Sequence, residues 1–217
     1  MRTLSIIIPT KNEPLIQELV NDINSKVKVA HEIIVVDKST ELPKLHGAKV
    51  IRQKSDGLGN AFLEGLAIAK GDVVALMDGD GSHDPADIPK LLEKLQNYDI
   101  VIGSKFLPGG KTEDPLSRVL VSKAFALITR ILLRIDLKDP MTGFMVAKRD
   151  VLNRVKFNPK GYKIVIETIC KSKAPVAEVP ITFHARKAGE SKVGFNLRGL
   201  KEAMRILSLL FELRRYR

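Results

Sequence analysis

The sequence predicts an α/β fold with a doubly wound, mostly parallel sheet, helices on both faces and a C-terminal amphipathic helix. Short β-branched apolar segments alternate with helical segments along the first half of the chain, and several of these apolar segments have no polar face. Such strands are typical of a parallel sheet that is covered on both sides. A chain of 217 residues can bury a large core, and its one cysteine excludes an internal disulfide and a cysteine-based zinc site.

The predicted strands are apolar segments rich in isoleucine and valine. Five are expected in the first half of the chain, at Thr3–Pro9, Glu32–Asp37, Lys49–Arg52, Asp72–Met77 and Tyr98–Lys105. After Pro108-Gly109-Gly110 the pattern changes, and two added strands are expected at Gly143–Lys148 and Val176–Ala185.

The predicted helices follow the strands in order. Asp84 is an expected N-cap with Pro85 in the first turn, and this helix continues to Leu95. The other helices are expected at Glu13–Lys28, Gly57–Lys70, Leu116–Ile135, Lys163–Lys171 and from Leu197 to the end.

The charge of the chain indicates an anionic partner. Lys and Arg number 36 against 25 Asp and Glu, a net charge of +11, and residues 186–217 hold nine basic and three acidic residues. Nucleic acid, a phosphorylated substrate and a membrane surface are the candidate partners. No uninterrupted run of about 18 apolar residues occurs, so a membrane-spanning helix is not expected.

The helices predicted at Leu116–Ile135 and from Leu197 onward are both basic and amphipathic. In the first, Lys123, Arg130 and Arg134 share an edge beside a broad apolar face. In the second, the expected apolar side holds Leu200, Met204, Leu207, Leu210 and Phe211. Ordinary core packing would explain either helix, but the shared basic edge and wide apolar face favour docking onto an anionic interface.

Polar residues follow the predicted strands at their carboxyl ends, where an open parallel sheet binds its ligands. Three different strands bring acidic groups to this edge in an otherwise basic protein. Their convergence favours a ligand site over local capping. The residues concerned are Pro9, Lys11 and Glu13 after the first strand, Asp37 after the second, Asp78 and Asp80 after the fourth, and Ser104 and Lys105 after the fifth.

Asp78-Gly79-Asp80 is the sharpest local motif. In an extended turn, residues two apart project to the same side, so both carboxylates can face one hard cation. A calcium loop of the EF-hand type is excluded, because its sixth position is His83 and its twelfth is Pro89. The sequence also lacks a P-loop, a complete dinucleotide fingerprint, a zinc-protease motif and a serine nucleophile elbow, which disfavours kinases, dehydrogenases and hydrolases.

Taken in order, these motifs resemble family 2 glycosyltransferases, and among them the dolichyl-phosphate mannosyltransferase and polyprenyl-phosphate glycosyltransferase type. The similarity extends over nearly the whole chain. It depends on Ile8-Pro9-Thr10-Lys11-Asn12-Glu13, Asp37, Gly57-Leu58-Gly59-Asn60-Ala61, Met77-Asp78-Gly79-Asp80-Gly81-Ser82-His83, Gly103-Ser104-Lys105-Phe106, Asp139-Pro140-Met141-Thr142-Gly143-Phe144, and Arg186 with Gly189-Glu190-Ser191-Lys192.

The resemblance implies a GT-A-like fold and a single catalytic domain over residues 1–217. Residues 1–110 would form its nucleotide-sugar-binding half and residues 111–217 its acceptor- and membrane-facing half. By position, the base and ribose of the sugar nucleotide would contact Pro9, Lys11, Glu13 and Asp37. A magnesium or manganese ion on the donor diphosphate would be held by Asp78, Asp80 and Ser82.

The resemblance also implies the acceptor side of the site. Lys105 and Lys123 would bind the acceptor phosphate, where the family has arginines. Lysine keeps the charge but lacks the bidentate geometry of arginine. The residues expected to act in catalysis are Asp80, Lys105, Arg186 and Lys192.

The implied reaction is inverting transfer of a hexosyl group, mannose from GDP-mannose, to dolichyl or polyprenyl phosphate. The enzyme would be cytoplasmic and peripheral on the cytoplasmic face of the membrane, with a small transmembrane protein as a possible partner. The alternatives are a UDP-sugar (glucosyl) transferase that uses polyprenyl phosphate or another acceptor, and a basic nucleic-acid-binding module. The last is disfavoured, and no nucleic-acid partner is expected, because the basic residues lack interleaved aromatics and any reader motif.

Overall fold

The computed structural model describes residues 3–159, 163–185 and 197–216, with side chains from residue 203 onward in the last range. Seven strands form the main sheet in the spatial order β3-β2-β1-β4-β7-β5-β8, and a second sheet pairs β6 with β9. The strands are β1 (Leu4–Thr10), β2 (His31–Asp37), β3 (Lys49–Arg52), β4 (Val73–Leu76), β5 (Ile100–Ser104), β6 (Lys111–Thr112), β7 (Met145–Lys148), β8 (Val176–Pro180) and β9 (Thr182–Phe183).

The main sheet is mostly parallel, as predicted. Only β7 runs against its neighbours, between β4 and β5. Since β7 and β8 come from residues 111–217, both halves of the chain contribute strands to one sheet. The carboxyl ends of β1, β2, β4 and β5 therefore meet at the same edge.

The predicted helices are present, in most cases a few residues shorter than expected. The helices are α1 (Ile16–Lys26), α2 (Leu58–Leu66), α3 (Ile88–Lys94), α4 (Leu116–Leu133), α5 (Arg149–Asn153), α6 (Ile164–Ser172) and α7 (Leu197–Leu213). A 3-10 turn, Pro85–Asp87, precedes α3, and the side chain of Asp84 accepts the Ala86 N–H at 2.9 Å. This hydrogen bond confirms the predicted N-cap. The short helix α5 has no predicted counterpart.

The core lies on both faces of the main sheet. In β1, Ile7 packs into one apolar cluster, while Ile6 and Ile8 pack into the other, and all three are fully buried. Successive side chains of a strand point to opposite faces, so a strand covered on both sides carries apolar residues on both faces. This arrangement explains why the β1 segment shows no alternation between polar and apolar residues.

The segment Val176–Ala185, predicted as one strand, is divided in two in the structure. It leaves the main sheet after Pro180, where the N–H of Ile181 donates to the carbonyl of Ser104 at 3.2 Å and its own carbonyl accepts the N–H of Lys111 at 2.9 Å. Proline lacks a backbone donor and is favoured where a ladder ends. The small β6–β9 sheet that follows lies just beyond the carboxyl end of β5.

Helix α4 exposes much of its apolar face. Leu116 and Leu120 are 82% and 68% exposed, and Leu127, Ile128 and Ile131 are also exposed. Ordinary core packing would bury these residues, so the exposure favours the docking interpretation. Within the described ranges, no helix is long and apolar enough to cross a membrane.

The buried face of α7 agrees with the predicted one only in part: Leu210 is buried as expected and Leu207 is half-buried, while the side chain of Leu200 lies outside the described residues. Met204 and Phe211, expected on its apolar side, are exposed, and the buried residues among those described are Ile206, Leu209, Leu210 and Leu213. The last four form an uninterrupted stripe at helical spacing that packs toward the core. Met204 and Phe211 lie outside this stripe and add to the exposed apolar surface of the protein.

Candidate active site

The end of β2 is fixed by a buried carboxylate. Asp37 accepts the Thr10 hydroxyl at 2.7 Å and the Ser39 N–H at 2.8 Å, one on each carboxylate oxygen. Thr10 ends β1 and lies opposite Asp37 in the parallel register. In this structure Asp37 therefore orders the two adjacent strand ends, and its predicted contact with the ribose stays a prediction.

The turn after β1 carries the other residues predicted to meet the nucleotide. Asn12 has a positive φ of 52°, and its N–H donates to the Ser39 hydroxyl at 2.7 Å. This turn leaves Lys11 exposed and Pro9 and Glu13 half-buried, beside the acidic turn that follows β4. The lysine ammonium is thus accessible to a ligand beyond the sheet edge.

The acidic turn after β4 needs glycine at its centre. A Cβ on Gly79 would lie 2.5 Å from Cγ2 of Thr10, closer than any stable contact. The turn can therefore pack against the end of β1, which keeps Asp78 and Asp80 at this edge. Both carboxylates are half-buried.

Ser82 is tied to Asp80. Its hydroxyl and its N–H both donate to Oδ1 of Asp80, at 2.6 and 3.1 Å, across Gly81 with a φ of 76°. This small turn holds the Asp80 carboxylate and the Ser82 oxygen side by side. Ser82 itself is fully buried.

Asp78 is positioned by His83 and by Gly143. The N–H of Asp78 donates to Nδ1 of His83 at 3.1 Å, so this ring nitrogen carries no proton. Burial lowers the pKa of His83, although Asp78 and Asp80 act in the opposite direction. On the other side, a Cβ on Gly143 would lie 3.2 Å from Oδ2 of Asp78, so the carboxylate rests against a bare glycine backbone.

The donor set of this turn fits a divalent cation that is completed by its substrate. Carboxylates of Asp78 and Asp80 and the hydroxyl of Ser82 are hard oxygen ligands, and the Asp78 side chain is 28% exposed. Magnesium keeps one or two protein carboxylates and takes its other ligands from water and phosphate. The part of the chain that the structure describes holds no group of three or more His, Cys, Asp or Glu side chains arranged as a metal site.

Lys105 lies next to the acidic turn. Its ammonium group is 4.2 Å from the ring centroid of Phe183, and the Phe183 ring lies 5.4 Å from the ring of His83 in an edge-to-face contact. His83 also stacks on Phe144 at 4.8 Å. Lys105, Phe183, His83 and Asp78 thus form a continuous series of contacts.

Lys123 of α4 faces the same aromatic ring as Lys105. The ammonium groups of Lys105 and Lys123 lie 5.6 and 5.7 Å from the centroid of Phe106. Lys123 is exposed, whereas Lys105 is nearly buried and forms an ion pair with Asp114 at 2.9 Å. The two predicted acceptor-phosphate residues are therefore neighbours on one surface.

Asp139 lies behind Lys105. Its Oδ2 accepts the Lys105 N–H at 3.3 Å, and its own N–H donates to Glu178 at 2.8 Å. Burial raises the pKa of Asp139 to about 6, against the opposing effect of Lys105. This carboxyl group supports the main chain that carries Lys105.

Arg186 and Lys192, the remaining predicted catalytic residues, lie outside the described residues. The chain just before them is held by Glu113, which accepts the Ala185 N–H at 2.8 Å and contacts Nδ1 of His184 at 3.1 Å. The N–H of His184 also donates to the carbonyl of Ser82 at 2.9 Å. The chain therefore reaches residue 185 directly beside the acidic turn.

Sequence reasoning missed Asp114 and Glu113, and assigned no role to His83 or Gly143. The two acids precede α4 by a few residues, a position that also suits ordinary helix-terminal charges. A signal existed for Gly143, because it belongs to a motif that the resemblance already used. No local pattern links His83 to Phe144 and Phe183, since these contacts arise between distant segments.

Comparison with known proteins bears on the family and the fold of the chain. The sequence profile described as "Glycosyl transferase family 2" matches residues 5–156. The dolichol-phosphate mannosyltransferase of Pyrococcus furiosus is 42% identical over 207 residues, covering 88% of this chain and 59% of that relative. This chain thus spans less than two thirds of the length of the Pyrococcus protein.

Two further relatives match over most of their own length. The undecaprenyl-phosphate mannosyltransferase of Micrococcus luteus is 34% identical, covering 92% of this chain and 90% of that protein. The dolichol-phosphate mannosyltransferase of Saccharomyces cerevisiae is 30% identical, covering 87% of this chain and 80% of that protein.

Among solved structures, glucosyl-3-phosphoglycerate synthase of Mycobacterium tuberculosis, in complex with Mn²⁺, UDP-glucose and phosphoglyceric acid, is similar with a TM-score of 0.72. The match is 23% identical and covers 98% of this chain and 80% of that chain. At this identity the likeness concerns the fold, which is GT-A-like in both proteins.

Proposed function

The chain belongs to glycosyl transferase family 2, and from this premise we propose that it transfers a mannosyl group from GDP-mannose to a dolichyl or polyprenyl phosphate, with inversion at the anomeric carbon. The three relatives reported above carry names of dolichol- or undecaprenyl-phosphate mannosyltransferases. The observation that carries the proposal is the series of contacts from Asp78 through His83 and Phe183 to Lys105. These contacts connect two sets of groups. Asp78 and Asp80 suit a metal ion on the donor diphosphate, and the Lys105 ammonium group suits the acceptor phosphate.

On the donor side, Asp78, Asp80 and Ser82 would hold a magnesium or manganese ion on the diphosphate. When bound, the ion offsets the charge that develops on the leaving nucleoside diphosphate. Pro9, Lys11, Glu13 and Asp37 would meet the base and ribose. The end of β1 and the turn after it would present the first three residues from the strand next to the acidic turn, and the end of β2 would present Asp37.

On the acceptor side, Lys105 and Lys123 would bind the phosphate monoester. Both ammonium groups lie close to the Phe106 ring, which supports a shared role at the acceptor phosphate. Arg186 and Lys192 would add positive charge opposite the departing diphosphate, since the chain enters their segment beside Ser82. Positive groups fixed where negative charge develops lower the barrier of such a transfer.

The acceptor phosphate is already ionised near neutral pH and needs no strong general base. A lone pair on its oxygen forms the new bond to the anomeric carbon, and the electron pair of the broken bond leaves with the diphosphate oxygen of the nucleotide. Attack in line with the leaving group inverts the anomeric centre. The role proposed for this chain is therefore to position two anions and to neutralise their charge.

A polyprenyl acceptor keeps its chain in the bilayer, so the protein would act as a peripheral membrane enzyme. The exposed apolar face of α4 lies beside exposed Lys123 and Arg134. An apolar face with a basic edge suits insertion among anionic headgroups. A small transmembrane partner would add to this attachment.

The transfer reaction is tested by incubating the protein with labelled GDP-mannose, UDP-glucose or UDP-galactose, polyprenyl phosphate and Mn²⁺. We expect organic-phase label from GDP-mannose that is lost in Asp80→Ala. Organic-phase label from UDP-glucose alone would show that the protein is a glucosyltransferase and not a mannosyltransferase. No organic-phase label from any donor, with a stable fold, would refute the transfer.

Membrane docking is tested by flotation with anionic liposomes at low salt. The double variant Leu120→Glu and Leu127→Glu is expected to lose at least about tenfold in the floated fraction, because two charges replace inserted apolar groups. Val29→Glu changes an exposed apolar residue outside α4 and serves as the matched control. Equal flotation of all three proteins would contradict direct docking through α4.

A further inference from the structure

We infer that Asp114 is a positioning residue that serves as an internal counter-ion for Lys105: it holds the ammonium group in the site and gives way to the phosphate of the acceptor. The inference rests on the proposed role of Lys105 at that phosphate. Asp114 precedes α4 and has no part in the site predicted from the sequence.

The pair is close and well shielded. Nζ of Lys105 lies 2.9 Å from Oδ2 of Asp114, and the two side chains are 11% and 13% exposed. The Asp114 N–H donates to the Thr112 hydroxyl at 3.1 Å, which fixes the turn that presents the carboxylate. Within the part of the chain that is described, no other carboxylate lies within ion-pair distance of this ammonium group.

Such a buried ammonium group requires an anion. Desolvation makes an isolated charge costly, so a nearly buried ammonium group is stabilised by a neighbouring anion. With no acceptor present, Asp114 supplies the missing negative charge. The ion pair therefore holds the ammonium group 4.2 Å from the Phe183 ring, on the side that leads to His83 and the acidic turn.

A phosphate monoester can take over this cation. It carries nearly two negative charges and three acceptor oxygens, against one charge on the carboxylate. An ammonium group has three donors, so a phosphate can first share Lys105 with Asp114 and then hold it more strongly.

The released carboxylate keeps a partner. Nη1 of Arg118 lies 3.8 Å from Oδ1 of Asp114, and the Arg118 side chain is 42% exposed and able to move closer. If Asp114 pairs with Arg118 after it releases Lys105, its buried carboxylate is not left unpaired. Because Arg118 belongs to α4, the exchange would also connect acceptor binding to the helix with the exposed apolar face.

The chain provides a matched control on the same strand. Asp99, just before β5, pairs with Lys148 at 2.6 Å, and the two side chains are also partly buried. Lys105 follows the opposite end of β5, so the two Lys–Asp pairs lie at opposite edges of the sheet. Asp99→Asn and Asp114→Asn make the same change of charge, but only the second removes a competitor of the acceptor phosphate.

The test is a calorimetric titration of the full chain with geranyl phosphate, and separately with inorganic phosphate, at low salt and without donor. Asp114→Asn is expected to bind both about tenfold more tightly than the unchanged protein, because a negative charge is removed next to the phosphate position. Asp99→Asn should stay within about twofold. Asp114→Glu keeps the charge and should also stay within about twofold.

The inference would be overturned if Asp114→Asn bound phosphate with the same affinity as the unchanged protein or more weakly. It would also be overturned if neither protein bound phosphate detectably. Tenfold tightening by Asp99→Asn or by Asp114→Glu would overturn it as well, since neither removes the competing carboxylate. The result is independent of sugar transfer. If the affinity ratio is as expected but no label reaches polyprenyl phosphate, the proposed function fails while the role of Asp114 stands.

Discussion

Asp139→Asn tests the burial of a carboxyl group behind Lys105. The pKa of Asp139 is raised by burial from 3.8 to about 6, so the folded protein holds this proton more tightly than the unfolded chain. Asparagine resembles the protonated form and can still accept the Lys105 N–H. The variant therefore removes the titration while keeping the shape of the side chain.

The sign and size of the effect follow from proton linkage. Below pH 3.8 both states are protonated, and Asp139 contributes no pH dependence. Between pH 3.8 and about 6 the unfolded chain loses its proton first, so the free energy of unfolding falls as pH rises. At about 1.4 kcal/mol for each pH unit, the full loss is about 3 kcal/mol above pH 6.

Urea unfolding at several pH values between 4 and 8 measures this effect. Asp139→Asn should equal the unchanged protein near pH 4 and be more stable by about 2 to 3 kcal/mol at pH 8. Asp150→Asn is the control, because Asp150 is 62% exposed and forms a surface ion pair with Arg154. This substitution should change the free energy of unfolding by no more than about 0.5 kcal/mol. A difference for Asp139→Asn that does not vary with pH would refute the reasoning.

Two further substitutions test other parts of the structure. Gly143→Ala places a methyl group 3.2 Å from Oδ2 of Asp78, so the carboxylate must move by a few tenths of an ångström. The affinity for Mn²⁺, measured with GDP present, should therefore fall about tenfold. An unchanged affinity would contradict the contact. Glu167→Gln leaves the Lys171 ammonium, paired at 2.5 Å and only 5% exposed, without its anion. The free energy of unfolding in urea should fall by about 3 kcal/mol, and a loss below about 0.5 kcal/mol would show that the pair is not needed.

The sheet and most helix positions could be predicted from sequence because their signals are local. The β1 segment has apolar residues on both faces, and Asp84-Pro85 marks a helix start, so each element is recognisable without its neighbours. The break after Pro180 was missed because it depends on hydrogen bonds from Ile181 to Ser104 and Lys111, two distant segments.

The candidate site divides in the same way. The acids Asp78 and Asp80 follow a clear strand, and their position at the edge could be predicted from that strand alone. The pairing of Lys105 with Asp114 could not, because it depends on the path of the chain through the β6–β9 sheet. Acidic residues are common near the start of a helix, and in the sequence Asp114 looks like one of them.

The central claim is that Asp78 and Asp80 hold the metal ion that binds the donor diphosphate. Crystals soaked with GDP and Mn²⁺, with anomalous diffraction recorded at the manganese edge, test it most directly. We expect one strong anomalous peak in contact with the carboxylates of Asp78 and Asp80 and with both phosphates of GDP. Bound GDP with manganese elsewhere, or with both carboxylates turned away from the diphosphate, would contradict it.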